Sequence, residues 1–218
     1  MGAPAGRTVE KGSGGDMTSA LAGAARAADA DAFRDRLLDG MAASITERGY
    51  RDTTVADIVR HARTSKRTFY EQFTSKEDCL IELLRRNNED LIATIRAAVD
   101  PEANWQQQIH RAIEAYVGHI EARPAITLAW IREAPALGAV ARPLHRQAMD
   151  ALTDMVVELS EGPGFRRAGL TPLTRPLALI LLGGLRELTA LIVEDERDPR
   201  EIIGPAVAAA TALLGSRP

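Results

Sequence analysis

Cysteine is almost missing from this chain. Cys79 stands alone among 218 residues, which excludes an intramolecular disulfide framework and any multi-cysteine zinc or iron–sulfur site. Aromatic residues make up only 4%, against the pattern of β-sandwiches, where Val, Tyr, Phe and Trp dominate. No apolar run reaches the ~18 residues of a membrane-spanning helix, and the longest, Leu177 to Leu185, is about half of that. The N-terminal stretch is rich in Gly, Ala and Ser, carries charges of both signs and lacks a signal-peptide core. Also missing are a G-x-S-x-G elbow, a phosphate-binding glycine loop, a His-Glu-x-x-His motif and a redox cysteine pair. No enzyme class is supported, no cofactor or metal is expected, and a reducing cytoplasm is the expected setting.

What is present is alanine and leucine at helical spacing. Residues 1–28 read as a disordered or frayed extension, although the alanine-rich part could prolong the first helix. Phe33, Leu37, Met41 and Ile45 recur every four residues and predict a helix over 31–48, ended by Gly49. Thr54 with Asp57 predicts a capped helix over 55–61, and Ser65 another over 66–72. Ser75 with Asp78 opens a long helix to about Val99, stopped by Asp100-Pro101. Apolar stripes then predict helices near 105–120, 124–133, 144–159, 177–193 and 202–214, with a loop from Gly162 to Pro176. The expected class is all-α with about nine helices.

Charge is uneven along the chain. The net charge is −3, yet residues 48–76 hold seven Arg or Lys against three acids. A basic island in an acidic protein is the footprint of a small nucleic-acid module on a larger body. Two short helices joined by Ala62-Arg63-Thr64 within that island describe a helix-turn-helix. In such a motif the N-terminal residues of the second helix reach base edges. Here they are Ser65, Lys66, Arg67 and Thr68, with Arg67 suited to guanine and Thr68 to a thymine methyl. Phe69 and Phe73 suit the core, and the Tyr70 hydroxyl is offset toward phosphate. Thr54, Ser65 and Lys76 lie at helix N-termini, which attract phosphate.

These residues resemble the TetR family of transcriptional regulators. The resemblance runs through Leu38, Met41, Ala42, Gly49-Tyr50, Thr53-Thr54-Val55, Ile58, Ala62, the run Ser65 to Tyr70, Phe73, Ser75-Lys76-Glu77 and Leu80. It implies an N-terminal three-helix DNA-binding domain, taken as 29–76, and a helical ligand-binding and dimerising domain, taken as 77–218. It further implies a homodimeric, repressor-type regulator of a palindromic operator in double-stranded DNA, released by a small-molecule effector and independent of membranes. The DNA-contacting positions it carries over are Thr54, Ser65, Lys66, Arg67, Thr68, Tyr70 and Lys76. The family usually has glycine where this chain has Arg63, and a left-handed Arg63 costs ~1 kcal/mol. It often has glycine at Arg67, so a contribution of Arg67 to sequence preference is expected.

In the body, Gly183 and Gly184 inside one helix cost ~2 kcal/mol relative to alanine, which close helix packing can offset. With Leu188 and the small residues Ala208, Ala209 and Ala212 they mark an expected dimer face, with packing inside the subunit as the alternative. Polar or aromatic residues on otherwise apolar helices form the candidate effector pocket: Trp105, His110, Tyr116, Trp130, His145, Met149, Met155 and Arg186. Their surroundings favour an apolar or amphipathic molecule. Glu133 and Glu187 are expected in helix–helix salt bridges. Two rival readings exist: a redox-responsive regulator acting through Cys79, whose place in a first helical turn could lower its pKa, and a helical adaptor that binds no DNA.

Overall fold

The computed structural model describes residues 14–215, with side chains from 31 to 214. Within these bounds the chain is helical and has no strand. Helix α1 spans Gly14–Asp52, so the alanine-rich stretch extends the helix rather than fraying, while residues 1–13 of the expected extension lie outside the described residues. Gly49 breaks α1 as expected, with φ 79° and ψ 163°, a region essentially reserved for glycine. Helices α2 (Val55–His61) and α3 (Lys66–Gln72) have the predicted limits, and α4 (Lys76–Ala98) ends one residue before Val99.

The body follows as α5 (Trp105–Ala122), α6 (Pro124–Leu128), α7 (Arg142–Ser160), α8 (Pro163–Arg167), α9 (Arg175–Glu194) and α10 (Ile203–Gly215). Ten α-helices are therefore present among the described residues, against the nine expected. The additional one, α8, lies in the segment expected as a loop. Pro163 starts it, and Phe165 is buried with its ring centroid 6.5 Å from that of Trp105. Tertiary docking thus winds a turn that has no periodicity of its own. Helix α6 tightens and loosens in turn, passing through a π turn (Ala129–Glu133) and a 3-10 turn (Ala134–Leu137).

One apolar cluster holds the first four helices together. Leu37, Met41, Ile58, Phe69, Phe73, Leu80 and Leu84 are each at most 2% exposed. The cluster continues into the body through Ile126, Ala129, Ala134 and Leu144. Helices α1 and α2 approach closely at Gly40, where a Cβ would lie 2.5 Å from the Ile58 carbonyl oxygen. A second cluster joins α5, α9 and α10 through residues such as Ile113, Val117, Ile192, Ile202 and Ala206.

Helix α9 departs from the expectation that nothing is long and apolar enough for a membrane. Its mean hydropathy is 1.8 over an 18-residue window, of which 22% is buried within the subunit. Arg186 and Glu187 interrupt the apolar run without interrupting the helix. Both are engaged by the body: Arg186 donates to the Ile131 carbonyl, and Glu187 pairs with Arg132. Leu179, Ile180 and Leu191 on the same helix remain exposed.

Candidate DNA-binding surface and effector cavities

Local capping builds the helix-turn-helix. The Thr54 hydroxyl oxygen accepts from the Asp57 amide, and the Asp57 carboxylate accepts from the Thr54 amide, closing the expected capping box. Hydrogen bonds from Thr54 hold the Asp57 carboxyl below its usual pKa. The turn after α2 is a Schellman motif. The Thr64 amide donates to Val59 O at 3.0 Å and the Arg63 amide to Arg60 O at 3.3 Å. Arg63 takes the left-handed conformation, φ 50°, where a side chain is strained. Ser65 then caps α3 through the Thr68 amide. At α4, Ser75 caps the Asp78 amide, while the Asp78 carboxylate accepts from Thr74 rather than Ser75.

Two aromatics turn inward and one outward. Phe69 and Phe73 are buried with centroids 5.7 Å apart, whereas Tyr70 is 59% exposed. The Arg34 guanidinium lies over Phe73, and its Nη1 donates to Gln72 O, tying α1 to the end of α3. Thr54, Ser65, Lys66, Arg67 and Tyr70 are exposed and Thr68 is partly so.

The basic island is largely paired within the chain. Arg48 and Arg60 meet Glu47 and Asp57, Arg51 meets Glu133, and Arg67 meets Glu71 one helical turn away. Lys66 and Arg63 have no ion-pair partner among the described residues. The Lys76 ammonium donates to Tyr50 O at 3.2 Å and Thr53 O at 2.9 Å and lies 4.4 Å from the Tyr50 ring centroid. It thereby satisfies carbonyls left open at the end of α1. This tether is not legible in the spacing of residues 50–76, because it depends on how α1 and α4 dock.

Cys79 speaks for a structural thiol and against the redox alternative. It is fully buried, and burial pushes its thiol up to about 12, so desolvation outweighs the helix dipole that could have lowered it.

Two cavities of the body lie side by side among the described residues. One, of about 110 Å³, lies among α4, α5, α7, α9 and α10, with Ile113, Tyr116, Met155, Phe165 and Leu182 on its wall. The other, of about 60 Å³, is lined by Asn87, His119, Trp130, Met149, Arg186 and neighbours. Tyr116, Leu152, Leu182 and Leu185 border both. The Tyr116 hydroxyl is hydrogen bonded to Thr189 at 2.8 Å, and burial raises its pKa to about 12.

Five of the eight expected pocket residues therefore line a cavity: Tyr116, Trp130, Met149, Met155 and Arg186. Three do not. Trp105 packs on Phe165, His110 is exposed beside Glu114, and His145 stacks on Trp130 at 5.5 Å without reaching the cavity wall. Sequence reasoning missed Asn87, Asn88, His119 and Thr127. The two asparagines had a signal, since they continue the inward spacing of Leu80, Leu83 and Leu84 toward Leu91 as polar breaks in an apolar stripe.

At the expected dimer face Gly183 and Gly184 are exposed, and a Cβ added at either meets nothing within 4 Å. Packing inside the subunit therefore does not explain them. Leu188 is half-buried, and Ala208, Ala209 and Ala212 face outward on α10. The expected salt bridges are present, Glu133 to Arg51 and Glu187 to Arg132.

Among the described residues, a strand-free bundle carries a capped tri-helical unit at its N-terminal end, with the arrangement of a helix-turn-helix. The sequence model of bacterial regulatory proteins of the tetR family matches residues 37–83, the segment that carries the helix-turn-helix. The repressor KstR2 of Mycobacterium tuberculosis is 36% identical over 109 residues, 50% of this chain and 54% of that protein. The activator FasR of Mycolicibacterium smegmatis is 29% identical over 91 residues, 42% of each chain. The match thus spans about half the length of these curated relatives. Among solved structures, the regulator FadR of Bacillus subtilis, crystallised with stearoyl-CoA, superposes with a TM-score of 0.68 at 16% identity, covering 84% of this chain and 98% of that one. At that identity the likeness is one of fold.

Proposed function

We propose that this protein is a homodimeric transcriptional regulator of repressor type that binds a palindromic operator and releases it when a small apolar or amphipathic molecule enters the body. The observation that carries this reading is the exposed row Ser65, Lys66, Arg67, Thr68 and Tyr70 at the start and outer side of a rigidly capped α3. Such a row suits the major groove. Thr54 and Lys76 flank it as phosphate contacts, exchanging their present hydrogen bonds with Asp57 and the α1 carbonyls for the duplex. Two copies joined through the exposed faces of α9 and α10 place two such helices on half-sites about one turn, ~34–36 Å, or more apart. Apolar α9 is covered by its twofold mate rather than by lipid. The aliphatic cavity walls support the effector, and an acyl group, as in the ligand of the FadR structure, is one class that suits them.

Selection of genomic DNA fragments with the purified protein tests the reading. Enriched fragments should share an inverted repeat, and binding should weaken steeply with salt, by about one counterion per phosphate contacted. Salt-insensitive binding, or no enrichment, supports the adaptor reading instead.

A further inference from the structure

The smaller cavity has an unusual polarity. Its wall includes the amides Asn87 and Asn88, His119, Thr127 and one cation, Arg186, but no carboxylate. Arg186 is only partly satisfied. Its Nη2 donates to the Ile131 carbonyl at 2.7 Å, while its Nε is buried and without a partner. The neighbouring Glu187 does not neutralise it, since both Glu187 oxygens accept from Arg132, at 2.9 and 3.0 Å. A partly buried guanidinium whose buried Nε has no acceptor is a ready donor for an anionic ligand. The larger cavity, across the wall of Tyr116, Leu152, Leu182 and Leu185, is almost wholly aliphatic.

From this pairing we propose that Arg186 is the headgroup anchor of the effector site, and that the effector is a medium-chain aliphatic carboxylate. The inference rests on the proposed effector-binding role of the body and specifies its chemistry. The carboxylate accepts from Arg186 Nε in the smaller cavity, with Asn87 and Asn88 as further donors. The alkyl chain crosses the shared leucine wall into the larger cavity. Size sets the chain length. A cavity near 150 Å³ holds a benzene-sized molecule, so two cavities of about 110 and 60 Å³ suit roughly eight carbons with modest movement of the wall. A coenzyme A head is far too large for the polar end.

Calorimetric titration of the full-length protein with octanoate, octanol and octanoyl-CoA tests this. Octanoate should bind about ten- to a hundredfold more tightly than octanol, the usual worth of a charge-assisted hydrogen bond. Arg186→Gln should remove that preference, bringing octanoate to the level of octanol, and Arg186→Lys should restore part of it. Equal binding of acid and alcohol by the unaltered protein would overturn the anchor and leave the cavity reading standing. So would octanoyl-CoA binding that is tighter than octanoate and indifferent to Arg186→Gln. Absence of binding by all three overturns the anchor together with the cavity reading.

Discussion

Arg51 Nε lies 3.1 Å from Glu133 Oε2. Arg51 sits just beyond the Gly49 break in α1, beside the helix-turn-helix, and Glu133 closes the π turn of the body. The same five-residue turn presents Trp130 and Ile131 to the smaller cavity, and its Arg132 clamps Glu187 and Glu194 of α9. Single π turns inside helices are frequent at functional sites. Cavity wall, α9 and the helix-turn-helix unit therefore meet in one short segment.

The first prediction concerns that segment. The Arg51 side chain is 79% exposed, so the pair contributes at most ~1 kcal/mol to stability. Glu133→Gln should shift the melting temperature by no more than ~2–4 °C. It should nevertheless change the octanoate concentration that half-releases a selected DNA fragment. An unchanged release curve would show that the pair does not couple the two ends.

On α3, Arg67 and Lys66 should separate by role. Arg67 is 89% exposed and held toward Glu71, in position to swing to a base edge. Arg67→Ala should relax sequence preference at one position of each half-site, at ~1–3 kcal/mol. Lys66→Ala should weaken all sequences alike and reduce the salt slope by about one. Competition binding against single-base variants distinguishes them, and uniform weakening by Arg67→Ala assigns Arg67 to phosphate.

Cys79 should be inert. With the thiol buried and its pKa near 12, the thiolate is scarcely populated at neutral pH. Iodoacetamide should label it only after denaturation, and mild peroxide should leave DNA binding intact. Fast labelling of the folded protein would revive the redox reading.

Glycine pair 183–184 should matter between subunits rather than within one. Because a Cβ there meets open space, Gly183→Ala with Gly184→Ala should raise monomer helix stability by ~2 kcal/mol. The same change, or more strongly Gly183→Leu, should weaken self-association. Sedimentation over a concentration series reads this, and unchanged dimerisation by Gly183→Leu would move the interface elsewhere.

Stability should fall on acidification in two stages. Burial lowers the pKa of His119 and His145 from the ordinary 6.5, aided by Arg123 and Arg186 respectively. The folded state then binds fewer protons than the unfolded chain, so stability is greatest above about pH 6.5 and declines below it. Glu82, held at about 2 by hydrogen bonds from Arg85 and then by further arginines, adds stability above pH 4.5 that disappears as the pH falls toward 2. Urea midpoints across pH 3–8 check the sign, and His119→Asn should flatten the first stage.

The helix-turn-helix was legible residue by residue. Thr54, Asp57, Ser65 and Ser75 act within one helical turn, so capping and short-range periodicity suffice to place α2, α3 and α4. Phe69 and Phe73 were recognisable for the same reason, being four apart on one face. The body was less so. Helix α8 exists because Phe165 docks on Trp105, a contact sixty residues distant in sequence. Of the pocket candidates, Trp105, His110 and His145 share residue types with the lining of the two cavities, and only the packing of α5 and α7 turned them away from it.

The scarcity of cysteine and aromatics, the basic island and the capping spacings were enough to define a helical chain with a basic helix-turn-helix near its N-terminal end. These are local or additive properties, readable without knowing where the chain goes next. Lys76 bound to the α1 carbonyls, Cys79 sealed in the core, the exposed Gly183 and Gly184, and Arg186 with an unpaired Nε depended on the fold. Each is set by which surfaces meet across long separations, and burial and pairing are properties of that meeting rather than of the residue.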